Sequence, residues 1–238
     1  MTARPEYKLV PLGDRAILAD FHPSLDLTVN ARIQRLAQAV QLRRPPWLRD
    51  VVPALGSLAL HFDRASLDPD ASPLRLAGEL IERCLSGELP ELAQFTRTVE
   101  LPVCYEADLA PDLEEVAQRC GLSPEEVVRR HAASAHRVLM VGFVPGHPYI
   151  GGLDPSLSVP RRATPRQRVP VGSIATANAQ TVVYPYDSPS GWSVIGRTPE
   201  RIFDVRRSPP ALMGPGDRVS FVPISRAEYE RRRSGSAA

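Results

Sequence analysis

The apolar positions of the first 90 residues switch between two periods. Residues 6–21 alternate loosely around Leu12-Gly13-Asp14, which predicts a hairpin with strands near 6–10 and 15–21. From 25 to 42, Val29, Ile33, Leu36, Ala37 and Val40 recur at helical spacing, so this stretch reads as a helix with one apolar face. Pro45-Pro46 stops it. Residues 47–53 and 57–62 read as two further strands, divided by Pro53 and Gly56. Ser72-Pro73 then opens a second helix, with Ser72 as N-cap and Pro73 at its first position. Leu76, Leu80, Ile81, Cys84 and Leu85 form its face, and Gly87 ends it. The order ββαββα predicts an α+β layer, two helices on one face of a small antiparallel sheet.

Residues 88–97 read as a linker. Beyond it come a strand near 97–104, a short helix opened by Asp112-Leu113, and a helix from the capping box Ser123-Pro124-Glu125-Glu126 to about Ala133. From residue 136 the pattern is strand-like: runs 137–144, 169–176, 180–184, 193–197 and 218–223 alternate with Gly/Pro turns, the pattern of a closed or half-closed β-barrel. The expected organisation is an α+β domain over 1–92, a β-barrel domain over 93–225 and a fraying tail over 226–238.

Composition narrows the chemistry. The 25 prolines and 15 glycines in 238 residues favour short elements and many turns. The net charge of +2 gives no reason to expect nucleic acid or an anionic membrane as partner. No apolar run reaches the length of a membrane span, and the first residues carry no apolar targeting segment, so the expected compartment is the cytoplasm. Among the 29 cations only Lys8 is lysine, which leaves no lysine placed for a Schiff base or a phosphate loop. Cys84, Cys104 and Cys120 are widely spaced and without CxxC. His22, His61, His131, His136 and His147 show no metal spacing. No metal site is therefore expected.

Candidate chemistry concentrates in 142–198. The loop Gly142-Phe143-Val144-Pro145-Gly146-His147-Pro148-Tyr149 is stiffened by proline and shaped by glycine, and reads either as a barrel crossover or as a pocket wall. Arg161, Arg162, Arg166 and Arg168 follow, and no Asp or Glu occurs between Pro155 and Tyr186. Such a cluster needs an anion, a distant carboxylate or water, and reads either as an anion site or as a solvated basic face. Tyr149 and Gln180 are candidate contacts beside it. Gly172 and Trp192 are pocket-shaping candidates with Gly142, Pro145, Gly146 and His147. His131, near a helix C-terminus, is either structural or a general acid/base. Neither GxxxxGK[ST] nor GxGxxG is present.

These segments resemble one family. Pro102-Val103-Cys104-Tyr105, Gly142-Phe143-Val144-Pro145-Gly146, Pro160-Arg161-Arg162-Ala163-Thr164-Pro165-Arg166, Val169-Pro170-Val171-Gly172-Ser173, Gln180-Thr181, Gly191-Trp192, Ile195-Gly196-Arg197-Thr198 and Pro215-Gly216-Asp217 stand in the order found in the family of 5-oxoprolinase B subunits. That family is also described as allophanate hydrolase subunit 1 or the KipI-like kinase inhibitors. The resemblance implies a ferredoxin-like N-terminal domain followed by a cyclophilin-like β-barrel. It implies a homologous partner, the C subunit, and a larger A subunit. The assembly it implies hydrolyses 5-oxo-L-proline to L-glutamate with ATP, which this chain would not bind through a P-loop. The alternatives it carries are an inhibitor docking on a sensor histidine kinase and a subunit of urea or allophanate degradation. The chain departs from the family's usual residues at His136, His147 (usually Phe) and Ser190, positions that bear on the substrate.

Overall fold

The structure, a computed structural model, describes residues 7–21, 26–91 and 97–235. The chain divides into two compact units, Met1–Thr96 and Arg97–Ala238. The domain boundary expected at 92/93, and His22, lie outside the described residues.

The first unit holds β1 (Lys8–Leu12), β2 (Ala16–Asp20), α1 (Leu27–Arg43), β3 (Leu48–Pro53), β4 (Ser57–Phe62) and α2 (Pro73–Leu85). Gly13 turns the β1–β2 hairpin at φ 65, a conformation that costs glycine little. Both helices start where capping chemistry places them. The Asp26 carboxylate accepts from the Thr28 and Val29 amides, and the Ser72 hydroxyl accepts from the Arg75 amide. The sheet order is β1-β2-β4-β3, antiparallel throughout, so β4 is inserted between the mutually parallel β2 and β3. Leu58 and Leu60 of β4 bury against Ile33, Leu36, Leu80 and Ile81 of the two helices. Each such side chain contributes roughly 1.5–3 kcal/mol of hydrophobic stabilisation.

The second unit is mostly strand: β5 (Thr98–Val103), α3 (Leu113–Cys120), α4 (Pro124–Ala133), β6 (His136–Val141), β7 (Pro148–Gly151), β8 (Arg166–Val169), β9 (Ser173–Ala177), β10 (Gln180–Val183), β11 (Ser188–Ser190), β12 (Ser193–Arg197), β13 (Arg218–Pro223) and α5 (Arg226–Gly235). Seven strands form one sheet in the order β12-β9-β10-β7-β6-β13-β5. Its two edges are tied together. Cys104, just past β5, exchanges two 2.9 Å backbone hydrogen bonds with Arg197 at the end of β12, so the sheet is nearly closed into a barrel. A Cβ on Gly196 would stand 2.7 Å from Val103 Cγ1, so only glycine fits where the edges approach.

Period-two alternation sorts the side chains of this sheet. Ile150, Ile174, Val183 and Phe221 bury on one face with Val116 and Ala117 of α3 and Val127 of α4. Ala175, Val182, Tyr184 and Val194 form a second cluster with Val169, Trp192 and Tyr149.

Four local expectations are corrected. The run 169–176 is broken by Pro170 and by Gly172, whose φ is 80, into β8 and β9. Residues 148–151 and 188–190, read as loop and turn, are the short strands β7 and β11. The expected fraying tail is helical over 226–235, because Tyr229 buries beside Cys104 and Leu109 and Arg226 pairs with Asp108.

Candidate functional site

The β6–β7 loop carries backbone strain at its tip. Phe143 is held at φ 71 with its side chain 65% exposed, an unusual setting for a large aromatic residue. The Gly142 amide donates to the His147 carbonyl, and the His147 amide to the Val144 carbonyl, which makes the loop tight. Gly146 (φ 78) lies flat against Phe203, whose ring a Cβ would meet at 2.8 Å. Pro145 is exposed at the turn.

That loop delivers His147 into a row of rings. Its imidazole stands 5.6 Å from Phe143, 5.0 Å from Tyr149 and 5.1 Å from Tyr184, edge-on in each case. Tyr149 lies 6.2 Å from Trp192. The Tyr184 hydroxyl is tied to the Ser190 hydroxyl, which also accepts from the Trp192 amide. Burial lowers the His147 pKa to about 4, so the ring is neutral at pH 7, and its buried Nδ1 has no hydrogen-bond partner among the described residues. Burial also raises the Tyr149 and Tyr184 hydroxyls, with Arg161 opposing the rise at both.

The arginines divide. Arg161 sets its guanidinium 5.6 Å above the Trp192 ring and pairs with no carboxylate among the described residues. Arg162 and Arg166 turn instead to Asp112, a carboxylate that the sequence shows only as a helix opener. Arg166 grips both of its oxygens at 2.6 Å, Arg162 donates to one at 2.9 Å and to Glu115 at 3.0 Å, and the Val194 amide donates at 2.7 Å. The two-pronged geometry expected for an anion ligand is thus satisfied internally, by the distant carboxylate. The clamp ties 162–166 to α3 and β12, and so holds neighbouring Arg161 over Trp192.

Gln180 stands two residues from Val182, whose register partner is Tyr149, so it shares the face of Tyr149, and its buried Nε2 lacks a partner among the described residues. Trp192 is buried in the second cluster and roofed by Arg161. Gly172 is elsewhere. It lines a separate cleft of about 520 Å³ with Tyr186, Arg197 and Phe203.

His131 is not placed for catalysis. It is fully buried on the opposite face of the sheet, with Nδ1 bonded to the Tyr105 hydroxyl at 2.9 Å and Nε2 to Thr181 at 3.2 Å. Burial, reinforced by His136, drives its pKa well below the usual value. Its apolar helix face carries it into the core, where both ring nitrogens are already used. Among the described residues, no group of three or more His, Cys, Asp or Glu is arranged to hold a metal, and no helix is long and apolar enough to cross a membrane.

Phe143, His147, Tyr149, Tyr184 and Trp192 therefore form an aromatic cluster that meets one permanent cation, Arg161, with the buried Gln180 Nε2 and His147 Nδ1 left without a partner among the described residues.

Known proteins agree with this chain over nearly its whole length. The family described as "Carboxyltransferase domain, subdomain C and D" matches residues 7–213. The chain belongs to this family. It is 37% identical to the 5-oxoprolinase B subunit of Bacillus subtilis (strain 168), covering 96% of this chain and 97% of that protein. It is 38% identical to the 5-oxoprolinase B subunit of Escherichia coli O157:H7, covering 89% and 94%. Among solved structures, TTHA0988 aligns with TM-score 0.74 and 36% identity over 89% of this chain, which spans 40% of that longer chain. PH0987 from Pyrococcus horikoshii aligns with TM-score 0.55 and 37% identity, over 93% of this chain and 100% of that one. The Kluyveromyces lactis urea amidolyase shares the fold, with TM-score 0.70 at 21% identity over 95% of this chain and 15% of that one.

Proposed function

We propose that this chain is the B-type component of an ATP-dependent 5-oxoprolinase, which hydrolyses 5-oxo-L-proline to L-glutamate in the cytoplasm. One observation carries the reading. Relatives named as 5-oxoprolinase B subunits match the chain nearly end to end, at 37% and 38% identity. The side chains gathered at the aromatic cluster are compatible with it. The substrate is a five-membered lactam bearing a carboxylate. Arg161 supplies a cation for the carboxylate, Gln180 Nε2 a donor for the lactam carbonyl, and Tyr149 and Trp192 flat walls for the ring.

The partners in this reading are a homologous C subunit and a larger A subunit. ATP is consumed by the assembly, since this chain contains no P-loop motif. The test is co-expression with the companion subunits and an assay of ATP-dependent glutamate release from 5-oxoproline. Release that needs all the subunits supports the reading, and an assembled complex that leaves 5-oxoproline intact overturns it.

A further inference from the structure

A second cleft, of about 390 Å³, lies between the ends of β6, β13 and β5 and is lined by Arg137, Arg218, Ser220, Thr98 and Ser134. Arg137 and Arg218 are register partners on antiparallel strands, so their side chains leave the same face side by side. Two like charges placed directly opposite destabilise a sheet unless something neutralises them. Among the described residues no carboxylate reaches either guanidinium. Neighbouring Arg97 is already tied to Asp217 at 3.0 Å. Glu100, on the same face opposite Ser220, is exposed and makes no ion pair with them. The proximity of Arg218, added to burial, lowers the Arg137 pKa.

Thr98 is the register partner of Arg218 on parallel β5, and Ser220 follows Arg218 by two residues. Both hydroxyls therefore stand on the face of the arginine pair, while the alternate residues Val219 and Phe221 bury on the other. We propose that this cleft is a binding site for a phosphate group of a small molecule. A carboxylate has two acceptor oxygens, which one guanidinium fork satisfies. Two forks and two hydroxyls match the three terminal oxygens of a phosphate monoester. Arginine provides this geometry better than lysine, and the site lies on strands rather than on a loop. The inference stands independently of the aromatic cluster, which shares no residue with it.

The experiment titrates the full chain with inorganic phosphate, and separately with acetate, by calorimetry and thermal melting, with chloride balancing the ionic strength. The expected result is saturable phosphate binding with a rise in Tm, and at least tenfold weaker binding of acetate. Arg137→Gln and Arg218→Gln each weaken phosphate binding at least tenfold. Arg168→Gln, which removes an exposed arginine elsewhere, leaves it unchanged. In phosphate-free chloride, Arg218→Gln melts no lower than the parent chain, because it removes a repulsion, and this shows that the variant is folded. Absence of saturable phosphate binding, equal binding of acetate, or undiminished binding by the folded variants overturns the proposal.

Discussion

Arg161 and His147 carry the most specific expectations at the scale of single residues. Arg161 sits over the Trp192 ring and pairs with no carboxylate among the described residues, so its charge is available to a ligand. Arg161→Met keeps much of the stem over Trp192 and removes the charge. A charge-assisted hydrogen bond is worth roughly 1.5–3 kcal/mol, so 5-oxoproline binding to the assembled enzyme should weaken by about ten- to a hundredfold. Arg161→Lys should recover only part of it. Equilibrium binding by calorimetry checks both. His147 sets a pH dependence. Its folded pKa of about 4 lies below the ordinary 6.5, so between these values the unfolded chain binds more protons than the folded one. Stability therefore rises with pH across that window and is lost on acidification. The share of His147 between pH 7 and pH 5 is about 2 kcal/mol. His131 and His136, also lowered by burial, act in the same direction. Urea unfolding at the two pH values should show a smaller loss in His147→Phe than in the parent chain, and an equal loss would refute the assignment.

The Asp112 clamp is the element-scale feature that sequence spacing conceals. Asp112 precedes α3, Arg162 lies before β8 and Arg166 begins it, and Val194 lies on β12, so up to 82 positions separate the partners. A cluster of arginines without nearby acid reads equally as an anion site or as half of a long-range ion pair. Only the fold, by bringing α3 against β12, decides between them. Removing one partner of a buried ion pair costs about 3–5 kcal/mol because the other charges remain. Asp112→Asn should lower the urea midpoint of the second unit accordingly, with little change in m. It should also weaken ligand binding, since Arg161 loses its anchor, and a variant of unchanged midpoint would show that the clamp is not structural. Elements with local signals were legible. Asp26, Ser72 and Ser123 cap the helices that their sequences announce. The short strands β7, β8 and β11, of three or four residues, carry too few alternations to register, and their pairing is made by partners distant in sequence. His131 was legible as helical, but its partners Tyr105 and Thr181, 26 and 50 positions away, were not.

At the scale of the whole molecule, the aromatic cluster has no complete catalytic set beside it among the described residues. Lactam hydrolysis needs a proton acceptor for the attacking water and a donor for the departing nitrogen. The cluster holds Arg161, which stays charged, a neutral His147, and two tyrosines whose ionisation burial opposes. None of the residues placed at the cluster is a carboxylate, and His131 is sealed in the core. In the proposed function, another chain supplies these groups. The surface gives a place to look. Val205 is 79% exposed, and Val171 and Tyr186 are exposed beside the 520 Å³ cleft, apolar surface of a kind that contacts between chains cover. We therefore expect the chain to elute as one larger species with its companion barrel protein when the two are co-expressed, and to be inactive toward 5-oxoproline alone. Val205→Glu should weaken that association while leaving the melting temperature of the isolated chain unchanged, because the side chain packs against little of its own fold. Size-exclusion chromatography at micromolar concentration measures the first effect and thermal melting the second. Separate elution of the two parent chains, or ATP-dependent glutamate release by this chain alone, would show that the fold needs no partner to complete its chemistry.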